Sequence, residues 1–117
     1  MADPISKTFL LNVDGTDRKI FMSFGLLNTL AGYFETPNQI EEALLNSNVR
    51  ASILVEALSE RQEDGRIKKP MALDSADIDS EQVFDFFDWV ASHIEDFFML
   101  ALKRANQRMQ KTKRLNT

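Results

Sequence analysis

The pattern of apolar and polar positions divides the chain into a short β segment, a set of short helices and one long helix. Thr8 to Val13 alternates and is rich in β-formers, and Asp14-Gly15 follows it as a turn signal. Arg18 to Ser23 reads as a second short strand, which gives a β-hairpin over 7–23 with a loop of about four residues. Ser23 can cap a helix from Phe24 to Phe34, in which Phe24, Leu27, Leu30, Ala31 and Phe34 recur at helical spacing. Thr36-Pro37-Asn38-Gln39 has the form of a helix start. Thr36 would be its N-cap, Pro37 its first residue and Gln39 the capping-box partner. That helix carries Ile40, Ala43 and Leu44 and ends near Asn46. Ser47 or Asn48 then opens another, with Val49, Ile53, Leu54, Ala57 and Leu58 on one face.

Residues 59–78 are polar, hold Gly65 and Pro70, and read as a long loop. Structureless loops of that length are uncommon in compact domains, so the segment is either mobile or conceals a short element. The last helix is expected over 79–110, with Asp79 as N-cap and Gln82 at the capping-box position. It would be about 45–50 Å long. The expected architecture is α+β, mainly α: a single domain over 1–117 with an N-terminal hairpin, three short helices (24–58) and one long C-terminal helix.

At 100° per residue the long helix carries two apolar seams. Val83, Phe87, Val90, Ile94, Phe98, Ala101 and Ala105 form the face expected to pack on the rest of the domain. Phe86, Trp89, His93, Phe97 and Leu100 form a flanking stripe, and Met99 stands alone among polar residues. Either the shorter helices cover the second stripe or it meets a partner. Aromatic side chains at the rim of a core face favour the partner, because they bury much area at low entropic cost. The candidate interface is therefore Phe86, Trp89, Phe97, Met99 and Leu100. On that expectation, Trp89→Ala combined with Leu100→Ala would spare the fold and impair assembly.

Charge sharpens this picture. The net charge of −4 conceals an asymmetry: residues 1–102 hold eight basic and 18 acidic side chains, a net of −10, whereas the basic tail over 103–117 is +6. Asp74 to Asp96 contains eight acids and no Lys or Arg; Lys103 onward contains six basic residues and no acid. Both ends suit the helix dipole, which alone could account for the gradient. The alternative is association, with the acidic start of one long helix facing the basic end of a neighbour's. Asp85, Asp88, Lys103, Arg104 and Arg108 are the candidate electrostatic contacts.

Chemistry of other kinds is poorly represented. There is no cysteine, so neither a disulfide framework nor a thiolate metal site can form. No apolar run approaches the roughly 18 residues that span a bilayer, and the N-terminus lacks a signal-peptide pattern. His93 is the lone histidine and falls mid-helix on an apolar stripe; with Asp96 it would make a poor metal ligand set. Asp77, Asp79, Glu81 and Asp88 fall at calcium-loop positions, but Gln82 occupies the place that needs glycine, and helix capping explains Asp79. No glycine loop for phosphate is present, and no pair of groups is spaced for acid–base or nucleophilic work. The expectation is a protein that is not an enzyme and holds no cofactor and no metal.

The order of elements resembles a known family. A hairpin with Asp-Gly at its turn leads into Ser-Phe-Gly-Leu-Leu-Asn-Thr-Leu at 23–30. Short helices follow, then Asp-Ser-Glu-Gln-Val-Phe-Asp-Phe-Phe-Asp-Trp-Val at 79–90 and His-Ile-Glu-Asp-Phe-Phe at 93–98. Over roughly 7–110 this resembles the tail assembly chaperones of long-tailed bacteriophages and gene transfer agents, although 59–78 does not align with the family pattern. The resemblance implies binding to the tape measure protein, which is kept soluble in the host cytoplasm until tail tube protein polymerises around it. It also implies absence from the mature virion, assembly as a homo-oligomer, and a frameshifted longer form. Two other classes compete: a structural tail component such as a terminator or connector, and a nucleic-acid-associated regulator using the basic tail. The acidic body argues against the latter.

Overall fold

A computed structural model describes residues 5–34, 39–64 and 66–115. The architecture is α+β and mainly α. Strands β1 (Thr8–Val13) and β2 (Thr16–Phe21) form the N-terminal hairpin. Helices α1 (Phe24–Ala31), α2 (Ile40–Leu44) and α3 (Ser47–Leu58) follow. A small antiparallel pair, β3 (Glu60–Arg61) and β4 (Ile67–Lys69), and one 3-10 turn (Leu73–Ser75) lead to α4 (Ser80–Leu115).

The hairpin is tighter than its sequence suggests. Val13 pairs with Thr16, so the loop is the two residues Asp14-Gly15 and β2 begins two residues before Arg18. Both loop residues have positive φ, 54° and 82°, the geometry whose twist matches that of the flanking strands. Asn12 stabilises the turn: its Oδ1 accepts from Gly15 N at 3.2 Å, and its Nδ2 donates to Asp17 Oδ1 at 3.0 Å. Leu11, Val13, Ile20 and Met22 are buried on the inner face, while Leu10 and Phe21 remain exposed on the outer one.

The helix starts follow local capping chemistry. Ser23 Oγ accepts from Leu26 N at 3.1 Å and opens α1, which stops at Ala31 and not at Phe34. Phe34 is nevertheless buried beyond the helix end. Thr36, Pro37 and Asn38 lie outside the described residues. Gln39 stands at the N-cap of α2 without a side-chain capping bond. α3 opens at Ser47, as expected, and Asn46 caps it, with its Oδ1 accepting from Asn48 N and Val49 N.

Residues 59–78, expected as a loop, hold the β3–β4 pair and the 3-10 turn. Ser59 ties this segment to α3: its hydroxyl donates to Val55 O and accepts from Met71 N. Met71, Leu73, Ala76 and Ile78 then pack against the core. Sparse apolar residues among polar ones are enough here because each hydrogen-bonded anchor fixes only a few residues of chain.

α4 is longer than expected. It begins at Ser80, with Asp79 capping: Asp79 Oδ2 accepts from Gln82 N at 3.3 Å and Asp79 O from Val83 N at 3.0 Å. Gln82 does not close a capping box. Its Oε1 accepts instead from Asn12 N at 3.2 Å, joining the helix start to β1. The hairpin turn is held at the same place, since Asp14 N donates to Asp77 O and Asp77 N donates to Asp14 Oδ1. At 1.5 Å per residue the 36-residue helix is about 54 Å long, and the molecule measures 62 Å along its longest axis.

Candidate functional site

The first half of α4 is built into the head. Phe86, Phe87, Val90, Ala91 and Ile94 are buried there, in one cluster with Leu11, Ile20, Leu30, Ile53 and Leu58. α4 packs on β1 and α1. Phe86 therefore corrects the expected interface: it is 0% exposed and sits edge-on to Phe9, 5.6 Å between ring centres. The hairpin covers the flank of α4 that Phe86 occupies, so the buried face is wider than a single stripe.

Trp89 is half-buried and serves the head as well. Its ring lies on Phe9, with centroids 5.5 Å apart, and its Nε1 donates to Ser6 O at 2.7 Å. His93 Nε2 meets the same carbonyl at 2.8 Å, and its ring is edge-on to Trp89 at 5.0 Å. A carbonyl only accepts, so His93 Nε2 carries the proton in this arrangement. Two side chains one turn apart thus fasten the segment before β1 to the outer flank of α4. That gives Trp89 and His93 a structural task, and a Trp89→Ala variant would not spare the fold as the sequence suggested.

The remaining candidates split along the helix. Phe97 is half-buried, tilted against Phe98 at 6.0 Å and facing Phe24 at 6.4 Å. Met99 and Leu100 are 63% and 53% exposed. Asp85, Asp88, Lys103, Arg104 and Arg108 are all exposed. Ala101 and Ala105 were expected in the core; Ala101 is exposed and Ala105 only half-covered. The core ends near Phe98 because the hairpin and short helices reach no further. From Ile94, the last fully buried of the described residues, the helix runs on for about 30 Å.

That projecting arm carries an apolar line. Phe98, Leu102, Ala105 and Met109 follow one another at helical spacing on the side that continues the core face. Leu102 and Met109 are 54% and 61% exposed and were not among the sequence candidates. The signal that could have found them is the same periodicity, taken from Phe98 through Leu102 and from Ala105 on to Met109. Phe84 and Phe24, 54% and 71% exposed, add apolar surface elsewhere on the head.

A cleft lies between the two strand pairs and is lined by Thr16, Arg18, Leu58, Lys69 and Met71. The Arg18 guanidinium is used within the fold, donating to Leu58 O at 3.0 Å. Among the described residues no group of three or more His, Asp or Glu side chains stands close enough to hold a metal ion. Asp79, one of the calcium-pattern residues, is the α4 cap, and the backbone of Asp77 pairs with Asp14. Among the described residues no helix is long and apolar enough to cross a membrane. No family model, no curated protein and no solved structure matches this chain.

Proposed function

We propose that this protein is a non-enzymatic tail assembly chaperone of a long-tailed bacteriophage, which binds the tape measure protein in the host cytoplasm and keeps it soluble until tail tube polymerisation. The observation that carries the proposal is the apolar line Phe98, Leu102, Ala105 and Met109 on a helix that has left its own core. A largely helical client exposing apolar stripes can lay one of them along such a line, as amphipathic helices do in grooves and bundles. Methionine suits a client whose contacts vary along its length, because its flexible thioether repacks easily. The resemblance of 23–30, 79–90 and 93–98 to the chaperone family supports the same role. Phe98 meets Phe97 where the line leaves the head, and Met99 and Leu100 turn toward the other side of the helix. On this proposal the protein leaves before the virion is complete, and a frameshifted longer form shares the same head.

The test is co-expression with a candidate tape measure protein, followed by size-exclusion chromatography with light scattering. A soluble complex containing several copies of this chain per tape is expected. Leu102→Glu combined with Met109→Glu should abolish that complex while leaving the thermal unfolding of the free protein unchanged. A tape that stays insoluble with the wild-type chain, or a double variant that binds as well, contradicts the proposal. Recovery of the protein in purified particles would favour a structural tail component instead.

A further inference from the structure

The outward side of α4 is a different surface from the apolar line, and its charges have a register. Asp85, Asp96 and Lys103 fall near one line of the helix, on the side opposite Phe87 and Ile94. Asp96 and Lys103 are placed symmetrically about the point between Met99 and Leu100. Glu95 and Arg104 bracket the same point one residue closer to each end than Asp96 and Lys103 do, and Asp88 and Lys111 lie symmetrically about it further out. Each of these three acids therefore has a base at the matching distance along the axis, and Asp96 and Lys103 also share the outward line. Glu95, Asp96, Lys103 and Arg104 are exposed, as are Asp88 and Lys111, and among the described residues none of these six makes an ion pair within the chain.

We infer that the outward side of α4 binds the same side of a second copy, antiparallel, about a two-fold axis beside Met99 and Leu100. In that arrangement Asp96 of each copy faces Lys103 of the other, and Met99 meets Leu100 at the centre. The acidic half of each helix lies along the basic half of its neighbour. A two-fold interface is self-complementary, which is the property this charge order has. The apolar side of the arm cannot serve for such full-length pairing, since between Val83 and Ile94 that side is occupied by the chain's own head. From Asp96 to Lys111 the residues of the outward side are exposed, and the pairing leaves Leu102 and Met109 uncovered in the dimer; nearer the head, Trp89 and His93 hold Ser6 on one flank of that side. This pairing does not depend on the tape measure proposal, and a dimer could form whatever the client. A charge gradient that served only the helix dipole would leave the chain monomeric.

Sedimentation equilibrium on the full chain tests the pairing. At about 50 mM salt a monomer–dimer equilibrium is expected, weakening at least tenfold by about 500 mM as exposed charges are screened. Asp96→Lys alone and Lys103→Asp alone should each weaken dimerisation at least tenfold, because each places like charges opposite one another. Mixing the two variants should restore a dimer of one copy of each, since every facing pair is again opposite in sign. Both positions are exposed, so circular dichroism should report an unchanged helix content. The chain has no cysteine, so a spin label at Met109→Cys is unique. Antiparallel pairing predicts a label separation of about 30 Å along the helices. A parallel pair would bring the labels to about 10–15 Å, close to the interaxial spacing. A monomer at low salt, single variants that dimerise normally, a mixture that does not recover, or a short label distance overturns the proposal.

Discussion

The two halves of α4 share one backbone, one periodicity and one apolar side, yet they have opposite fates. Between Val83 and Phe98 that side is sealed by the hairpin and the short helices; beyond Met99 it continues, and there Leu102 and Met109 are exposed among the described residues. An amphipathic pattern therefore establishes that a helix face will be covered, not by what. Most helical stability in proteins comes from packing an apolar face and not from propensity. The first half should consequently be held firmly, and the second should depend on its dipole, its local side-chain pairs and any partner it finds.

The sharpest way to break this comparison is to remove the same chemistry from each half. Phe86→Ala should cost about 3–5 kcal/mol, because it empties a fully buried site beside Phe9. Leu102→Ala should fall within about 0.5 kcal/mol of wild type. Urea unfolding of the two variants checks both, and equal costs would mean that the arm belongs to the core. Next in size is Trp89→Ala, expected to cost about 2–3 kcal/mol for a half-buried ring that also holds Ser6 O. Trp89→Phe keeps the ring and loses the hydrogen bond, at about 1 kcal/mol. If Trp89→Ala proves neutral, the N-terminal fastening contributes nothing and Trp89 returns to the candidate interface. Asp79→Ala should cost about 1 kcal/mol by removing the α4 cap, again measurable in urea. The smallest effect belongs to the arm. A chain ending after Leu102 should unfold within about 2 °C of wild type, since exposed segments outside the core contribute little. A drop of many degrees would show the arm folding back onto the head.

Much of the fold could be read from residues whose signals are local. Asp14-Gly15 marks the turn, Ser23 and Asp79 mark helix starts, and the apolar spacing from Val83 to Ile94 marks the buried side of α4. Information carried between distant residues was not legible. Phe86 and Trp89 sit at the edge of the apolar side, and whether that edge is core depends on where the hairpin lands. Phe9 packs on both rings and Ser6 accepts from Trp89, over separations of about 80 residues that periodicity cannot convey. Gln82 had the right spacing for a capping box but bonds to Asn12 of β1 instead. The β3–β4 pair escaped notice because a strand of two residues has no alternation to display.

Of the candidate interface residues, Met99 and Leu100 are exposed. The sequence pattern assigned Phe86 to the wrong side of the boundary and stopped short of Leu102 and Met109. That boundary is set by the reach of the head along α4, a length that appears only once the tertiary structure is in place.

Hydrogen–deuterium exchange along α4, in the free chain at low concentration and then in complex with the tape measure protein, tests the central claim most directly. Local opening should keep amides beyond Ala101 weakly protected in the free chain, while those between Val83 and Ile94 exchange only near global unfolding. Binding should raise protection across 101–112 and leave the head unchanged. Strong protection of the arm in the free, monomeric chain, or no change there on binding, would contradict the account.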